Sequence, residues 1–153
     1  MADLFTHLVS ARLPGAFVRD RRLQALLVLG TFLPDIGAKG LYHVARCGEN
    51  FIVPTHSVLG LLVLCYGASF LLEERLRAGG FLALLGGALL HLAVDLLKDQ
   101  NGMGAAWLLH PFSPVGTELG LIPTENVILL LPIDAAILVA TWLLERRLRR
   151  VQQ

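Results

Sequence analysis

Two polar residues of ligand type, His91 and Asp95, sit four apart inside the apolar stretch GGFLALLGGALLHLAVDLLKD at 79–99. If that stretch is helical, a spacing of four leaves the two side chains about 40° apart on one face, where both can reach a single ion. An isolated pair of this kind is also what a helix-packing hydrogen bond looks like. Four more places carry residues of the same chemistry: His7 in TH at 6–7, Asp35 in LPD at 33–35, His56 in TH at 55–56, and His110 in LLHP at 108–111. Imidazoles and carboxylates together, with no cysteine among them, suit zinc or another divalent transition metal such as manganese, and argue against a closed structural zinc site. A divalent ion in such a site acidifies water and polarises a phosphoryl or carbonyl oxygen, giving hydrolysis without a protein nucleophile. No Ser–His–Asp pattern competes with it.

Helices must position these residues. Residues 3–13 suit a short helix with Leu4, Leu8 and Val9 near one side and His7 beside them, broken at Pro14-Gly15. The run LQALLVLGTFL at 23–33 gives about 17 Å of helix against a hydrocarbon core of about 30 Å. It is therefore a half-span, a tilted helix extended by residues 16–22, or a buried core helix. LPDIG is expected to end it and expose Asp35, and the polar segment 38–53 then reads as a loop with about one helical turn. His43 in that loop reads as exposed rather than as a ligand. Thr55 is expected to cap a long helix over 57–72, with His56 in its first turn and Ser57 supporting the helix start. Residues 80–98 match a bilayer core at about 28 Å. The Gly- and Pro-rich segment 99–124 reads as a structured cap with Trp107 near the interface, and 126–144 as a last span closing on the basic tail ERRLRR. Asp134 falls inside that span, where an ionisable side chain needs a partner, and is expected to pair with another helix rather than with a metal. Glu125 is accounted for by its place at a helix start.

With 153 residues, the chain is expected to form one domain over 1–153. Hydrophobic residues make up 55% and charged residues 16%, and the mean hydropathy is +0.65, far more apolar than an ordinary soluble domain. The expected class is all-α: a polytopic membrane bundle of about four main helices plus a short N-terminal one, in contact with membrane lipids. A net charge of +1, with the arginines at helix ends, argues against a nucleic-acid partner. Cys65 in an apolar run and Cys47 in a polar segment form no disulfide framework. The first residues lack the pattern of a cleaved signal peptide. A cytoplasmic C-terminus would place Arg12, Arg19, Arg21, Arg22, Arg75, Arg77, Arg146, Arg147, Arg149 and Arg150 inside, against Lys39, Arg46 and Lys98 outside, as the positive-inside rule requires. The same alternation puts Asp35, His56, His91, Asp95 and His110 near the outer ends of their segments, facing the outer side of an inner, plasma-type membrane. His7 joins them only if the first helix is re-entrant or packs beside the 23–33 helix.

The order THL, LPD, THS, HLxxD and HPF, spread over Thr6 to Phe112, resembles the YdjM-like inner-membrane proteins, a family read as metal-dependent hydrolases. More distantly the arrangement is similar to the zinc-dependent phospholipase C and P1-nuclease group. That second resemblance implies ligand roles for His7, Asp35, His56, His91 and Asp95. The chain departs from the group where a later HxxxE pair is expected: His110 is followed by Pro111 and Phe112, and Glu118 is eight residues away. The combined expectation is a membrane-bound hydrolase of a phosphoester or lipid-linked ester; a non-enzymatic metal-binding or interaction protein and a metal or proton transporter are the alternatives.

Overall fold

Backbone groups in runs this apolar find few outside partners, so the chain satisfies them internally, in helices. The computed structural model describes residues 4–43, 52–99, 108–113, 119–123 and 130–151. Its helices are α1 (Leu4–Gly15), α2 (Arg21–His43), α3 (Ile52–Thr55), α4 (Val58–Ser69), α5 (Glu74–Leu97) and α6 (Leu131–Val151). Two-residue strands β1 (Lys98–Asp99) and β2 (Ile122–Pro123) pair in parallel, Lys98 opposite Ile122. The fold class is all-α, as expected. Cys47, Trp107, Glu118 and Glu125 lie outside the described residues.

Several boundaries differ from the sequence expectation. Helix α2 does not stop at LPDIG but runs through Pro34 to His43, so residues 38–43 are helix rather than loop. A proline inside a helix removes one hydrogen bond, to the carbonyl four residues back. Here that residue is Gly30, and tertiary packing against α5 makes up the loss. Thr55 closes α3 instead of capping the next helix. The cap of α4 is Ser57, whose hydroxyl accepts from the Gly60 amide at 3.0 Å and donates to the Pro54 carbonyl at 2.9 Å. Helix α5 begins at Glu74, six residues before the expected start at residue 80. Among the described residues, α5 is the one helix long and apolar enough to cross a membrane. Helix α4, with 12 residues, is about 18 Å long, too short to span, and the C-terminal part of α6 carries Glu145 and the arginines.

Glycines set the distance between α2 and α5. A Cβ on Gly30 would strike the Leu84 carbonyl, and one on Gly87 would strike the Leu27 carbonyl and fall 2.9 Å from the Gly30 Cα. The two helices thus touch backbone to backbone. They run in the same direction, with Leu23 beside Gly79, Leu27 beside Gly86 and Thr31 bonded to His91. Helix α4 returns alongside α5, burying Leu61 and Cys65 against Leu84, Ala88 and Leu92. Helix α6 follows α1 through Thr6–Asp134 and Arg12–Glu145 contacts. The N-terminal ends of α1, α4 and α6 and the C-terminal halves of α2 and α5 therefore lie together at one end. The ion pairs Arg12–Glu145 and Arg22–Glu73 lie toward the other.

Candidate metal centre

The shared end gathers five of the six residues singled out by type and spacing. His91, one turn beyond Gly87 on α5, is buried, as is Asp95 a turn further on. His7 reaches them from α1: its Nε2 is 3.4 Å from Asp95 Oδ1, and its ring stacks on His91 with centroids 4.0 Å apart and planes 17° from parallel. Asp35, beyond the apolar run of α2, brings Oδ1 to 3.9 Å from His91 Nε2 and 3.6 Å from His56 Nε2. His56 sits in the turn between α3 and α4, with Nδ1 3.1 Å from the Thr55 hydroxyl. Two sets of ligand atoms result, His7–His91–Asp95 and Asp35–His56–His91, joined at His91.

His110 does not join them. It lines a groove beside Pro54, Thr55 and Ser57, on a turn whose Leu108 carbonyl accepts from the Val58 amide at 3.1 Å. The HPF segment therefore braces the start of α4 and is absent from both sets.

The proton of His91 has a fixed place. Its Nδ1 lies 2.7 Å from the Thr31 carbonyl, an acceptor only, so Nδ1 carries the hydrogen. The neutral ring then turns the lone pair of Nε2 toward Asp95 Oδ2 at 3.1 Å. Nε2 of His91 and Oδ1 of Asp95 are buried with no hydrogen-bond partner among the described residues. A lone pair held against carboxylate oxygens in a dry site is repulsive unless a cation lies between them.

These distances fit a metal. Ligand atoms 2.0–2.1 Å from a tetrahedral ion are separated by about 3.3 Å. The observed separations of 3.1, 3.4, 3.6 and 3.9 Å bracket that edge length. A carbonyl holding the second nitrogen of an imidazole is the usual arrangement around ligating histidines. The His56 imidazole, with smaller contributions from His91 and Lys39, holds the Asp35 carboxyl below the usual carboxylate range against the opposing effect of burial. Asp35 is therefore held in its ionised form.

The family model for the YdjM inner membrane protein matches residues 1–151. The chain belongs to the YdjM inner membrane protein family. No curated protein and no solved structure matches it, so the likeness to the phospholipase C and P1-nuclease group gains no support from either. Family membership agrees with the apolar α5 and with the membrane class read from composition.

Three participants escaped the sequence reading. Thr31 acts through its backbone carbonyl, which no side-chain motif marks. Lys39, 3.7 Å from Asp35 Oδ2 and partly exposed, enters only because α2 continues past Pro34. The Gly30–Gly87 contact left a trace: single and paired glycines inside two apolar runs signal close helix approach. Asp134, expected to pair with another helix, does so by accepting from the Thr6 hydroxyl at 2.9 Å. That bond holds the residue next to His7.

Proposed function

We propose that this chain is a membrane-embedded metal-dependent hydrolase acting on a phosphoester of a lipid or lipid-linked substrate at the outer membrane–water interface. The observation that carries the reading is the buried His91 Nε2. Its proton is committed to Thr31 on the far side of the ring, and its lone pair faces Asp95 and Asp35. Because one lone pair serves one ion, a second ion would keep only two of the remaining residues, too few for a stable site. We therefore read one divalent ion, zinc or manganese, held at His91 by one of the two sets, with the residues of the other beside it. When bound there, it supplies the Lewis acidity that activates water and draws charge from the phosphoryl oxygen.

The chain's own residues supply the rest. Asp35 and Asp95 bring two negative charges that favour a divalent over a monovalent cation. The Thr31 carbonyl fixes the ring of His91, and Asp134 fixes α1 through Thr6. Lys39 favours a phosphoester over a neutral carboxylic ester, since it offers a cation to the substrate's anionic oxygens at the lip of the cluster. In the hydrolysis, water adds to phosphorus, the bond to the leaving alcohol oxygen breaks, and that oxygen takes the proton. In the membrane, α5 crosses the bilayer, the shorter apolar segments of α2, α4 and α6 pack around it, and the arginine-rich ends face the cytoplasm.

The test is elemental analysis of detergent-purified wild type beside a folded His91→Ala/Asp95→Ala variant, followed by assay on phosphoester and carboxylic ester lipids. One ion per chain, lost in the variant, with turnover of phosphoesters, supports the reading. An ion with no turnover of either class leaves a non-enzymatic metal-binding protein, and no ion after incubation with divalent cations overturns the reading.

A further inference from the structure

Beside the cluster, a groove of about 380 Å³ runs along α4, lined by Pro54, Thr55, Leu59, Val63, Leu64 and the His110–Pro111 turn. That volume is at the low end for a ligand site, and the lining is almost wholly apolar. Its few polar groups are largely committed: Ser57 to Pro54 and Gly60, Thr55 to His56. His110 remains, half-buried at the rim.

Two connections decide what such a groove can hold. One end meets the metal-ligand cluster, because Thr55 both lines the groove and contacts His56 Nδ1. The other side opens onto the outer face of α4, where Val58, Leu59, Leu62, Val63 and Tyr66 are all exposed apolar side chains. In an inner membrane protein that face meets hydrocarbon. An occupant entering from the face and ending at the cluster must have an apolar body and a polar head.

We propose that the groove is an acyl-chain subsite: one hydrocarbon chain of a membrane lipid lies against Leu59, Val63 and Leu64, so that its head reaches the cluster and His110 donates a hydrogen bond to a head-group oxygen. This rests on the hydrolase reading for its consequence but not for its test, since occupancy of the groove can be measured without turnover. It gives His110 a task that its exclusion from both ligand sets leaves open. It also selects the substrate: a lipid reaches the site laterally from the bilayer, without passing through water.

The experiment is photo-crosslinking of the full-length protein, reconstituted in vesicles, with a phosphatidic acid carrying a diazirine in its acyl chain. Labelled residues are mapped by mass spectrometry, and metal content is measured on the same samples. Labelling is expected to concentrate at Leu59, Val63 and Leu64, at least fivefold above Leu82 and Leu89, exposed residues of α5 that do not line the groove. Val63→Trp, which fills the groove, should reduce that labelling about tenfold with metal content unchanged. In turnover it should slow long-chain substrates while sparing a water-soluble short-chain phosphoester. His110→Gln, which keeps a donor, should retain labelling at the cluster end, and His110→Leu should lose it. Equal labelling of groove and α5 residues, or full labelling in a folded, metal-replete Val63→Trp, overturns the subsite. Loss of metal from the wild type with groove labelling intact overturns the hydrolase reading and leaves the subsite standing.

Discussion

Replacing Gly87 with alanine adds one methyl group, one turn before His91 on the face of α5 that meets α2, and it should disable the centre. The new Cβ would fall 2.9 Å from the Gly30 Cα and closer to the Leu27 carbonyl. The Leu27 carbonyl lies 2.0 Å from the new Cβ, far inside van der Waals contact, so α2 and α5 must separate by about 1 Å. The His91 Nδ1 to Thr31 carbonyl distance of 2.7 Å then stretches past about 3.3 Å, at or beyond the limit of a useful hydrogen bond. His91 is freed to take its other tautomer, and Asp35 on α2 recedes from His91 on α5 by a similar amount. Overpacking of this kind costs about 1–3 kcal/mol of stability. Loss of the group orienting a ligating imidazole costs about 10- to 100-fold in metal affinity. The assay is calorimetric zinc titration of wild type and Gly87→Ala in detergent, with thermal unfolding of both apo proteins. A Gly87→Ala protein that binds zinc with wild-type affinity would refute the claim that backbone contact between α2 and α5 sets the site.

Other perturbations test separate parts of the structure. Asp134→Ala, which strips the half-buried Thr6 hydroxyl of its acceptor, should cost about 1–3 kcal/mol and weaken metal binding through α1, whereas Asp134→Asn should preserve both; unfolding and titration of the two variants together decide it. Ser57→Ala should destabilise the protein by about 0.5–2 kcal/mol, read as a lowered Tm, because it removes both hydroxyl bonds at the start of α4. Metal affinity should fall as pH falls, because protons compete with the ion for the ligand atoms. Asp35, held ionised below the usual range by His56, does not contribute to that loss, so Asp35→Asn should lower affinity at every pH without moving the midpoint; titrations at several pH values check this.

How much of this was legible in the sequence depends on which forces act locally. The pairing of His91 and Asp95 follows from helical spacing alone, and so does the all-α class, from the length of the apolar runs. That Asp35 and His56 share the end of His91 and Asp95 follows from the alternation of helix directions, whereas His7 joined them only on the condition that the first helix be re-entrant or pack beside the 23–33 helix. The continuation of α2 through Pro34 did not follow, because local propensity opposes it and contact with α5 overrides it. The cap of α4 was displaced by two residues, from Thr55 to Ser57, since both are good capping types and α3 takes the first. His110 misled because its motif resembles the others in composition, and only the path of the 108–113 turn excludes it. Thr31 was invisible, because a carbonyl has no residue signature.

The five grouped side chains also carry a temporal meaning. His7 is made first and Asp95 last, with α1, α2 and the turn before α4 contributing between them. A nascent chain that has not yet delivered His91, the residue common to both sets, completes neither of them. On the hydrolase reading, loading the centre would therefore come late in assembly, after α1, α2 and the turn before α4 have been made.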